Sequence, residues 1–207
     1  MEIKFDNTDI SKYFTWNLAD AAVAKQLVER EETPEAITYF AEHCGSLSDY
    51  GYWFMLGTLW VSYTGFSDIE LWKKLFSAER RHRDACIMKP SELRAFEALP
   101  YHVKAYRAHR PGEKDYIAYT LDLEKAKMFA TQRGTHWVKE YKIRKRDILA
   151  YFTRRGESEI LVLDKNKPEL TGKHYVSGYY TGNDYGSMVQ SMQKKIVGDM
   201  RLPSDLV

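Results

Sequence analysis

Residues 155–163 read RGESEILVL, in which two glutamates, Glu157 and Glu159, precede an apolar, β-branched run. The run predicts a strand, and side chains two residues apart in a strand point to the same face of the sheet. The two carboxylates therefore lie side by side, where they repel each other and destabilise the fold. A functional role for the pair would explain why the protein keeps this unfavourable arrangement. One carboxylate can stabilise a cationic intermediate while the other orients a nucleophile, although an isolated Glu-x-Glu is more often the solvated start of an edge strand.

The first hundred residues predict helices. Prolines and capping residues mark the helix starts, and apolar residues recur between them at helical spacing. The predicted helices are Leu18–Glu29 with Asn17 or Thr15 as its cap, a segment from Thr33-Pro34-Glu35 to Gly45, Asp49–Tyr63, a segment from Ser67 towards Arg83, and Glu92–Ala98 with Ser91 as its cap.

After Pro100 the pattern changes to alternating strands. The predicted strands are Tyr101–His109, Tyr116–Thr120, Trp137–Ile143, Ile148–Phe152 and Ile160–Leu163, and one helix, Leu123–Thr131, follows Asp122 or Thr120 as its cap. Helices first and strands afterwards indicate an α+β fold. We divide the chain into a helical N-terminal region, residues 1–98, and a mixed β core with a C-terminal tail, residues 99–207, whose run Met188–Met200 is amphipathic.

Composition favours a soluble globular protein, with 44% hydrophobic and 29% charged residues. No apolar run approaches the roughly 20 residues of a membrane helix, and the N-terminus lacks the layout of a signal peptide. The two cysteines, Cys44 and Cys86, predict no disulfide framework, so we expect a cytoplasmic protein without a membrane partner. His82 and Cys86 have the i, i+4 spacing of metal ligands, but no second pair accompanies them and we expect no metal site.

Charge is distributed unevenly along the chain. Residues 101–155 hold 14 Lys and Arg against 6 Asp and Glu, a net charge of +8, whereas the whole chain has a net charge of +2. A basic segment can attract an anionic ligand such as a dinucleotide, or nucleic acid. A solvated basic face is the commoner explanation, so charge alone favours no particular partner.

Three features stand in order within about fifty residues. Tyr106-Arg107 ends a predicted strand, Ala118-Tyr119-Thr120 ends the next and precedes a helix, and Glu157-Ser158-Glu159 begins a third. This order resembles the ADP-ribosyltransferase superfamily, in the branch with Arg, Ser-x-Ser/Thr and Glu-x-Glu motifs, over roughly residues 100–163. The chain is also similar to bacterial toxin- and phage-type proteins of that fold, in which a short helix and Leu-Pro precede the arginine strand.

The resemblance implies an NAD-dependent mono-ADP-ribosyltransferase that releases nicotinamide, needs no metal and acts in the cytoplasm of the producing or infected cell. Arg107 is implied to hold NAD through its phosphates, which suits a forked guanidinium. Glu159 is implied to stabilise the oxocarbenium-like ribose, and Glu157 to guide the attacking group, with arginine of a target protein as the acceptor. Thr120 matches the last position of the hydroxyl motif, which braces the nicotinamide site and steadies the catalytic glutamate.

Further roles follow from position in the same family. The implied NAD-binding residues also include Ala108, His109, Ala118, Tyr119 and Phe129, and the implied substrate-recognition loop comprises Phe152, Thr153, Arg154, Arg155 and Gly156. Taken alone, Phe129 is more typical of a core residue and His109 of a surface histidine. Gly156 can adopt the positive φ that a tight turn before the glutamates requires.

Ala118 is the one departure from the motif, because the family has Ser or Thr at this position. The hydroxyl that holds the catalytic glutamate is then missing, and Thr120 or a tyrosine could substitute for it. Without a substitute, the fold could persist as a non-catalytic binding module. A third interpretation keeps the transferase and makes nucleic acid its acceptor, attracted by the basic segment 101–155. We favour the enzyme because Arg107 and both glutamates are intact.

Overall fold

The computed structural model describes residues 9–63 and 68–177, and within these ranges it contains seven α-helices. They are α1 (Leu18–Glu29), α2 (Glu35–His43), α3 (Asp49–Ser62), α4 (Ile69–Phe76), α5 (Arg83–Ile87), α6 (Pro90–Glu97) and α7 (Leu123–Gln132). Six of them precede the first strand, so the predicted α+β order is confirmed. The predicted amphipathic run Met188–Met200 lies outside the described residues.

Side-chain caps set two of the helix starts that the sequence predicts. Oδ1 of Asn17 accepts a hydrogen bond from the backbone N–H of Ala19 at 2.8 Å, so Asn17, and not Thr15, caps α1. Oδ1 of Asp122 accepts in the same way from the N–H of Glu124 at 2.8 Å and caps α7. Each cap satisfies backbone N–H groups that the first helical turn leaves without a partner.

The helix α6 begins at Pro90, so the prediction that Ser91 caps it is wrong. The carboxylate of Glu92 accepts a hydrogen bond from the N–H of Lys89 at 3.0 Å. A proline at the first helical position loses no hydrogen bond, because that N–H has no partner inside the helix. Proline and glutamate together therefore start this helix two residues earlier than a serine cap would.

The predicted helix running towards Arg83 is also corrected by the structure. The helix α4 ends at Phe76, and a separate short helix, α5, begins at Arg83. Between them, His82 has a φ of 57°, in the left-handed region that a right-handed helix cannot contain. Residues 77–82 are not helical, so what the apolar spacing suggested was one segment is two helices.

Six strands form one sheet in the order β4-β5-β2-β1-β3-β6. They are β1 (His102–Arg107), β2 (Ala118–Thr120), β3 (Trp137–Arg144), β4 (Ala150–Phe152), β5 (Glu159–Leu161) and β6 (Glu169–Tyr175). All five pairings among the described strands are antiparallel. The sequence predicts a mixed β core, and the described strands instead form an antiparallel sheet. The sequence did not predict β6, because most of its side chains are exposed and no apolar alternation marks it.

The most apolar helix, α3, lies inside the protein. Ten of its fourteen residues are buried, which accounts for its aromatic and aliphatic composition. No helix within residues 9–63 and 68–177 is long and apolar enough to cross a membrane.

One cluster of buried side chains joins the helical region to the sheet. Trp53 and Leu56 of α3 belong to the same cluster as Phe152 of β4 and Leu161 of β5. The cluster therefore crosses residue 98, where the sequence pattern changes. Glu159 lies two residues before Leu161 and shares its face of the strand, so it faces the helical layer.

Candidate active site

Three neighbouring strands bring the sequence motifs together. The strand β2 lies between β1 and β5, with Tyr106 opposite Thr120 and Thr120 opposite Glu159. Directly opposed residues of antiparallel strands share a face, so the side chains of Thr120 and Glu159 are neighbours. Arg107 follows Tyr106, and its guanidinium donates a hydrogen bond to the carbonyl oxygen of Ala118 in β2. Sheet pairing thus joins motifs that are far apart in the chain.

A cavity of about 1110 Å³ lies where these strands meet the helical layer. Its walls come from α3 and α4, the β1–β2 loop, α7 and the turn before β5. Its charged and aromatic lining includes Trp60, Trp72, Arg107, Arg110, Glu113, Tyr116, Phe129, Arg133, Arg155, Glu157 and Glu159. Pockets for small ligands commonly measure roughly 300–1,000 Å³, so this cavity has room for an extended ligand.

Most of the predicted NAD-binding residues line this cavity. They are Arg107, Ala108, Ala118, Tyr119, Thr120 and Phe129. His109 is not among the described lining residues. Its Nδ1 lies 3.0 Å from Oε2 of Glu113, and its Nε2 lies 2.8 Å from the hydroxyl oxygen of Tyr141. His109 therefore supports the residues behind the cavity wall, and burial lowers its pKa.

Glu113 holds the guanidinium of Arg107, a contact that the sequence did not predict. Its Oε1 accepts a hydrogen bond from Nη2 at 2.6 Å and its Oε2 accepts from Nε at 3.2 Å. Burial opposes ionisation of Glu113, but the hydrogen bond with His109 and the charge of Arg107 outweigh it and lower the pKa to about 2. Glu113 and the carbonyl of Ala118 occupy three of the five guanidinium N–H groups, which leaves two for a ligand.

Arg133 supplies a second guanidinium that the sequence did not single out. It donates a hydrogen bond to the carbonyl oxygen of Ala108, and its Cζ lies 5.2 Å from the ring centroid of Phe129. Burial, followed by the positive charges of Arg107 and Arg110, lowers the pKa of Arg133 to about 10. Among the described residues no carboxylate pairs with Arg133 within ion-pair distance. Neighbouring guanidinium groups in a partly desolvated cleft favour an anionic ligand.

The two predicted catalytic carboxylates lie in different surroundings. Oε1 of Glu157 is 3.3 Å from Nη2 of Arg155, whereas Oε2 of Glu159 accepts a hydrogen bond from Nε1 of Trp60 at 3.0 Å. Burial raises the pKa of Glu157. Burial and the adjacent charge of Glu157 raise the pKa of Glu159 from its ordinary value to about 7. Different surroundings suit two carboxylates to different roles in one reaction.

Thr120 braces the turn that carries these glutamates. Its hydroxyl is buried and donates to the carbonyl oxygen of Glu157. The backbone N–H of Leu121 donates to the carbonyl oxygen of Ser158 at 2.9 Å, which ties the same turn to the end of β2. A hydroxyl has a single proton to donate, so Thr120 fixes the backbone at Glu157 and does not donate to the carboxylate of Glu159.

The turn before β5 contains two residues in the left-handed region. Gly156 has a φ of +63°, the positive value that a glycine in a tight turn can adopt. Ser158, between the two glutamates, has a φ of 47°, which is uncommon for a residue with a Cβ atom. Such backbone strain persists only where surrounding contacts hold it, and the bonds from Thr120 and Leu121 supply them here.

The predicted substrate-recognition loop is only partly directed at the cavity. Phe152 is buried, and Nη2 of Arg154 lies 3.2 Å from Oε2 of Glu92, with side-chain exposures of 6% and 1%. The backbone N–H of Thr153 donates to the same glutamate at 2.9 Å. Arg155 lines the cavity beside the catalytic pair. The recognition role of residues 152–156 stays a prediction, with Arg155 as the member placed to act on a ligand.

The described residues contain no group of three or more His, Cys, Asp or Glu side chains placed to bind a metal. His82 stacks on Tyr13 with ring centroids 3.9 Å apart. Cys86 is buried in the hydrophobic core. His82 lies before α5 with a left-handed φ of 57°, so its spacing from Cys86 is not that of two residues on one helix face.

The chain matches no family model, no curated protein and no solved structure in the three comparisons made. Support for a function therefore comes from the cavity, its charges and the placement of the three motifs.

Proposed function

We propose that this protein is an NAD-dependent mono-ADP-ribosyltransferase that modifies arginine in a target protein. The observation that carries the proposal is the position of Arg107, Glu157 and Glu159 around one cavity, on or next to β1 and β5, the two strands that flank β2. A basic side and an acidic side of one cleft match a ligand with a pyrophosphate and a cationic nicotinamide. The positions of these three residues support an ADP-ribosyltransferase-like core formed by the sheet.

The guanidinium side of the cavity suits the pyrophosphate of NAD. Arg107 has N–H groups left for phosphate oxygens, and Arg133 has no carboxylate partner among the described residues. Guanidinium groups bind phosphate oxygens with two parallel hydrogen bonds, which fixes orientation as well as position. The ring of Phe129 adds an apolar surface beside Arg133. The nicotinamide ribose then lies towards Glu159.

Glu159 acts on the bond between C1′ of this ribose and the nicotinamide nitrogen. As that bond breaks, its electron pair leaves with nicotinamide and positive charge develops on the ribose. A carboxylate placed in a water-poor cleft stabilises this charge more strongly than it would in water. The cationic nicotinamide of bound NAD also favours the ionised form of Glu159, whose pKa is about 7 in the free protein.

Glu157 acts on the acceptor. Its carboxylate can bind an arginine guanidinium with two hydrogen bonds and take the proton that the attacking nitrogen loses when it bonds to C1′. Burial raises the pKa of Glu157, which makes it a better base than an exposed glutamate. The products are ADP-ribosylated arginine, nicotinamide and one proton.

The test is incubation with labelled NAD, with agmatine as an arginine mimic and with cell lysate, while nicotinamide release is measured in parallel. Glu159→Gln should abolish both reactions, because it removes the charge and keeps the volume. The midpoint temperature of its thermal unfolding at pH 8 should be no lower than that of the parent. The raised pKa of Glu159 means that the fold disfavours the ionised carboxylate, which the substitution removes. Glu140→Gln is the control, a carboxylate on β3 outside the described cavity lining. Full activity in Glu159→Gln would exclude the proposed role.

Ala118 favours a second candidate, a non-catalytic module that binds NAD or a related nucleotide. An alanine supplies no hydroxyl beside the glutamates, so the cleft could bind without reacting. Calorimetry with NAD separates the two candidates. Binding without nicotinamide release supports the module, and release that disappears in Glu159→Gln supports the enzyme.

Nucleic acid as the acceptor has less support from the structure. Three arginines of the basic segment, Arg107, Arg154 and Arg155, have side-chain exposures of only 10%, 6% and 13%. Part of the predicted positive charge is thus directed into the protein and the cavity. A transferase acting on nucleic acid should lose acceptor affinity steeply as salt rises, whereas agmatine modification should not.

A further inference from the structure

The helical region places an indole ring against the catalytic carboxylate. Trp60 lies in the last turn of α3 and lines the cavity. Its ring packs edge-to-face on Trp72 and Phe76 of α4, with centroids 5.0 and 5.6 Å away. Both partners are almost fully buried, so the ring of Trp60 has little freedom to turn. Its Nε1 donates to Oε2 of Glu159 at 3.0 Å.

A second tryptophan on the same helix shows that this contact is not a general property of α3. Trp53 is fully buried, and its Nε1 has no hydrogen-bond partner among the described residues. A buried indole N–H usually finds a hydrogen-bond partner, and Trp53 shows that packing on α3 does not by itself provide one. Trp60, in contrast, directs its N–H at a carboxylate in the cavity wall.

The side chains next to Glu159 in the sheet do not provide this contact. Thr120 lies directly opposite Glu159 but donates its hydroxyl proton to the carbonyl oxygen of Glu157. Ala118, two residues earlier on the same face of β2, has no donor in its side chain. The hydrogen bond to the carboxylate therefore comes from a different layer of the molecule.

We propose that Trp60 is a positioning residue that holds Glu159 in the orientation and charge state required for the transfer reaction. The proposal rests on the proposed function, because it assigns a support to the carboxylate that acts in that function. It also gives the helical region a part in the chemistry: α3 carries the donor, and α4 fixes the ring that bears it. Trp60 acts through Glu159 and needs no contact with the reacting atoms.

The electrostatic surroundings of Glu159 define what loss of the bond should change. The charged and hydrogen-bonding groups that face it are Trp60 of α3, Arg107 of β1, Arg133 of α7, and Glu157 and Arg155 of the turn. Glu157 and burial favour the protonated carboxyl, whereas Trp60, Arg155 and Arg107 favour the carboxylate. Removing the indole N–H should therefore move ionisation of Glu159 to higher pH.

Two substitutions separate the N–H group from the ring. Trp60→Phe keeps an aromatic ring against α4 and removes the donor. Trp60→Gln removes the ring and keeps an N–H donor at the same number of bonds from the backbone. Trp53→Phe is the matched control, because it trims an indole of the same helix whose N–H has no described partner.

We expect Trp60→Phe to lower kcat for NAD hydrolysis and for agmatine modification by about 10- to 100-fold, since a misplaced catalytic group costs a factor of this order. KM for NAD should change less than about threefold, and the acid limb of the pH profile should move up by about one pH unit. Trp60→Gln should recover part of the rate, and Trp53→Phe should keep the parental profile. A Trp60→Phe enzyme with parental kcat and pH profile would overturn the proposal, as would a rate that falls equally in all three variants.

A direct measurement keeps this test independent of turnover. Carbon-detected NMR of the glutamate carboxyl groups, assigned with Glu159→Gln, gives the pKa of Glu159 in each variant. A higher pKa in Trp60→Phe and a parental value in Trp53→Phe support the hydrogen bond, and equal values exclude it. If the parent chain neither cleaves NAD nor transfers ADP-ribose, the proposed function fails; if the parent is active and Trp60→Phe is unchanged, only the role of Trp60 fails.

Discussion

At the residue scale, the proposed chemistry depends on the ionisation of Glu159. Its pKa is raised to about 7 by burial and by Glu157, so the neutral form prevails in the free protein at lower pH. Stabilising a cationic ribose requires the ionised form. We therefore expect kcat/KM for NAD hydrolysis to rise with pH and to level off above about 7, a limb measured between pH 5.5 and 9. A rate that stays constant from pH 5.5 to 8.5 would contradict the assignment.

Glu157 should affect one reaction and not the other. Glu157→Gln should keep NAD hydrolysis within about threefold of the parent and lower agmatine modification by about 100-fold or more, because water needs no guanidinium-binding carboxylate. Nicotinamide release and labelled agmatine are measured in the same samples. Equal losses in both reactions would show that the two glutamates do not have separate roles.

The sequence predicted Arg107, Thr120, Glu157 and Glu159 as site residues, because they stand at strand ends and in a recognisable order. It did not predict Trp60 or Glu113. Trp60 meets Glu159 across 99 positions, and the contact depends on how α3 packs against the sheet, which no local pattern specifies. Glu113 lies in a Pro-Gly loop without periodicity, so only the folded loop shows which arginine it holds.

At the element scale, one buried ion pair ties α6 to the turn before β5. Arg154 pairs with Glu92 and also donates to the hydroxyl of Thr58 and the carbonyl of Ile87. Arg154→Met should lower the free energy of unfolding by about 3–5 kcal/mol, because it leaves a buried carboxylate without its partner.

Urea unfolding at pH 7 measures this loss. The double variant Arg154→Met/Glu92→Met should be more stable than the sum of the two single variants predicts, since no charge is then left uncompensated. A loss below about 1 kcal/mol in Arg154→Met would mean that the pair contributes no more than an exposed one.

Helices that begin with a capping side chain could be predicted from the sequence, whereas elements without such a local signal could not. Asn17 and Asp122 cap the helices that the sequence assigned to them. The strand β6 has mostly exposed side chains and no apolar face, so only its pairing with β3 identifies it. The break between α4 and α5 covers residues 77–82 and ends at a left-handed residue, His82, and apolar spacing does not reveal it.

At the scale of the whole molecule, the division at residue 98 describes the sequence better than the packing. Trp53 and Leu56 share a buried cluster with Phe152 and Leu161, and the ion pair between α6 and the turn crosses the same boundary. We expect one cooperative unfolding transition, with calorimetric and van't Hoff enthalpies that agree. Two transitions, or circular dichroism and tryptophan fluorescence with different midpoints, would show that the two regions unfold separately.

The hydrogen bond between Trp60 and Glu159 has a consequence for protein engineering. Residues 97 and 98 are exposed, so the connection between the regions is accessible to cleavage. A chain cut there leaves every charged residue of the proposed mechanism in one fragment and the indole that orients Glu159 in the other. Neither fragment would be competent by itself. Fusing each to one of two candidate binding partners would make ADP-ribose transfer a readout of their association, because the buried cluster and the hydrogen bond from Trp60 to Glu159 re-form only when the two fragments meet.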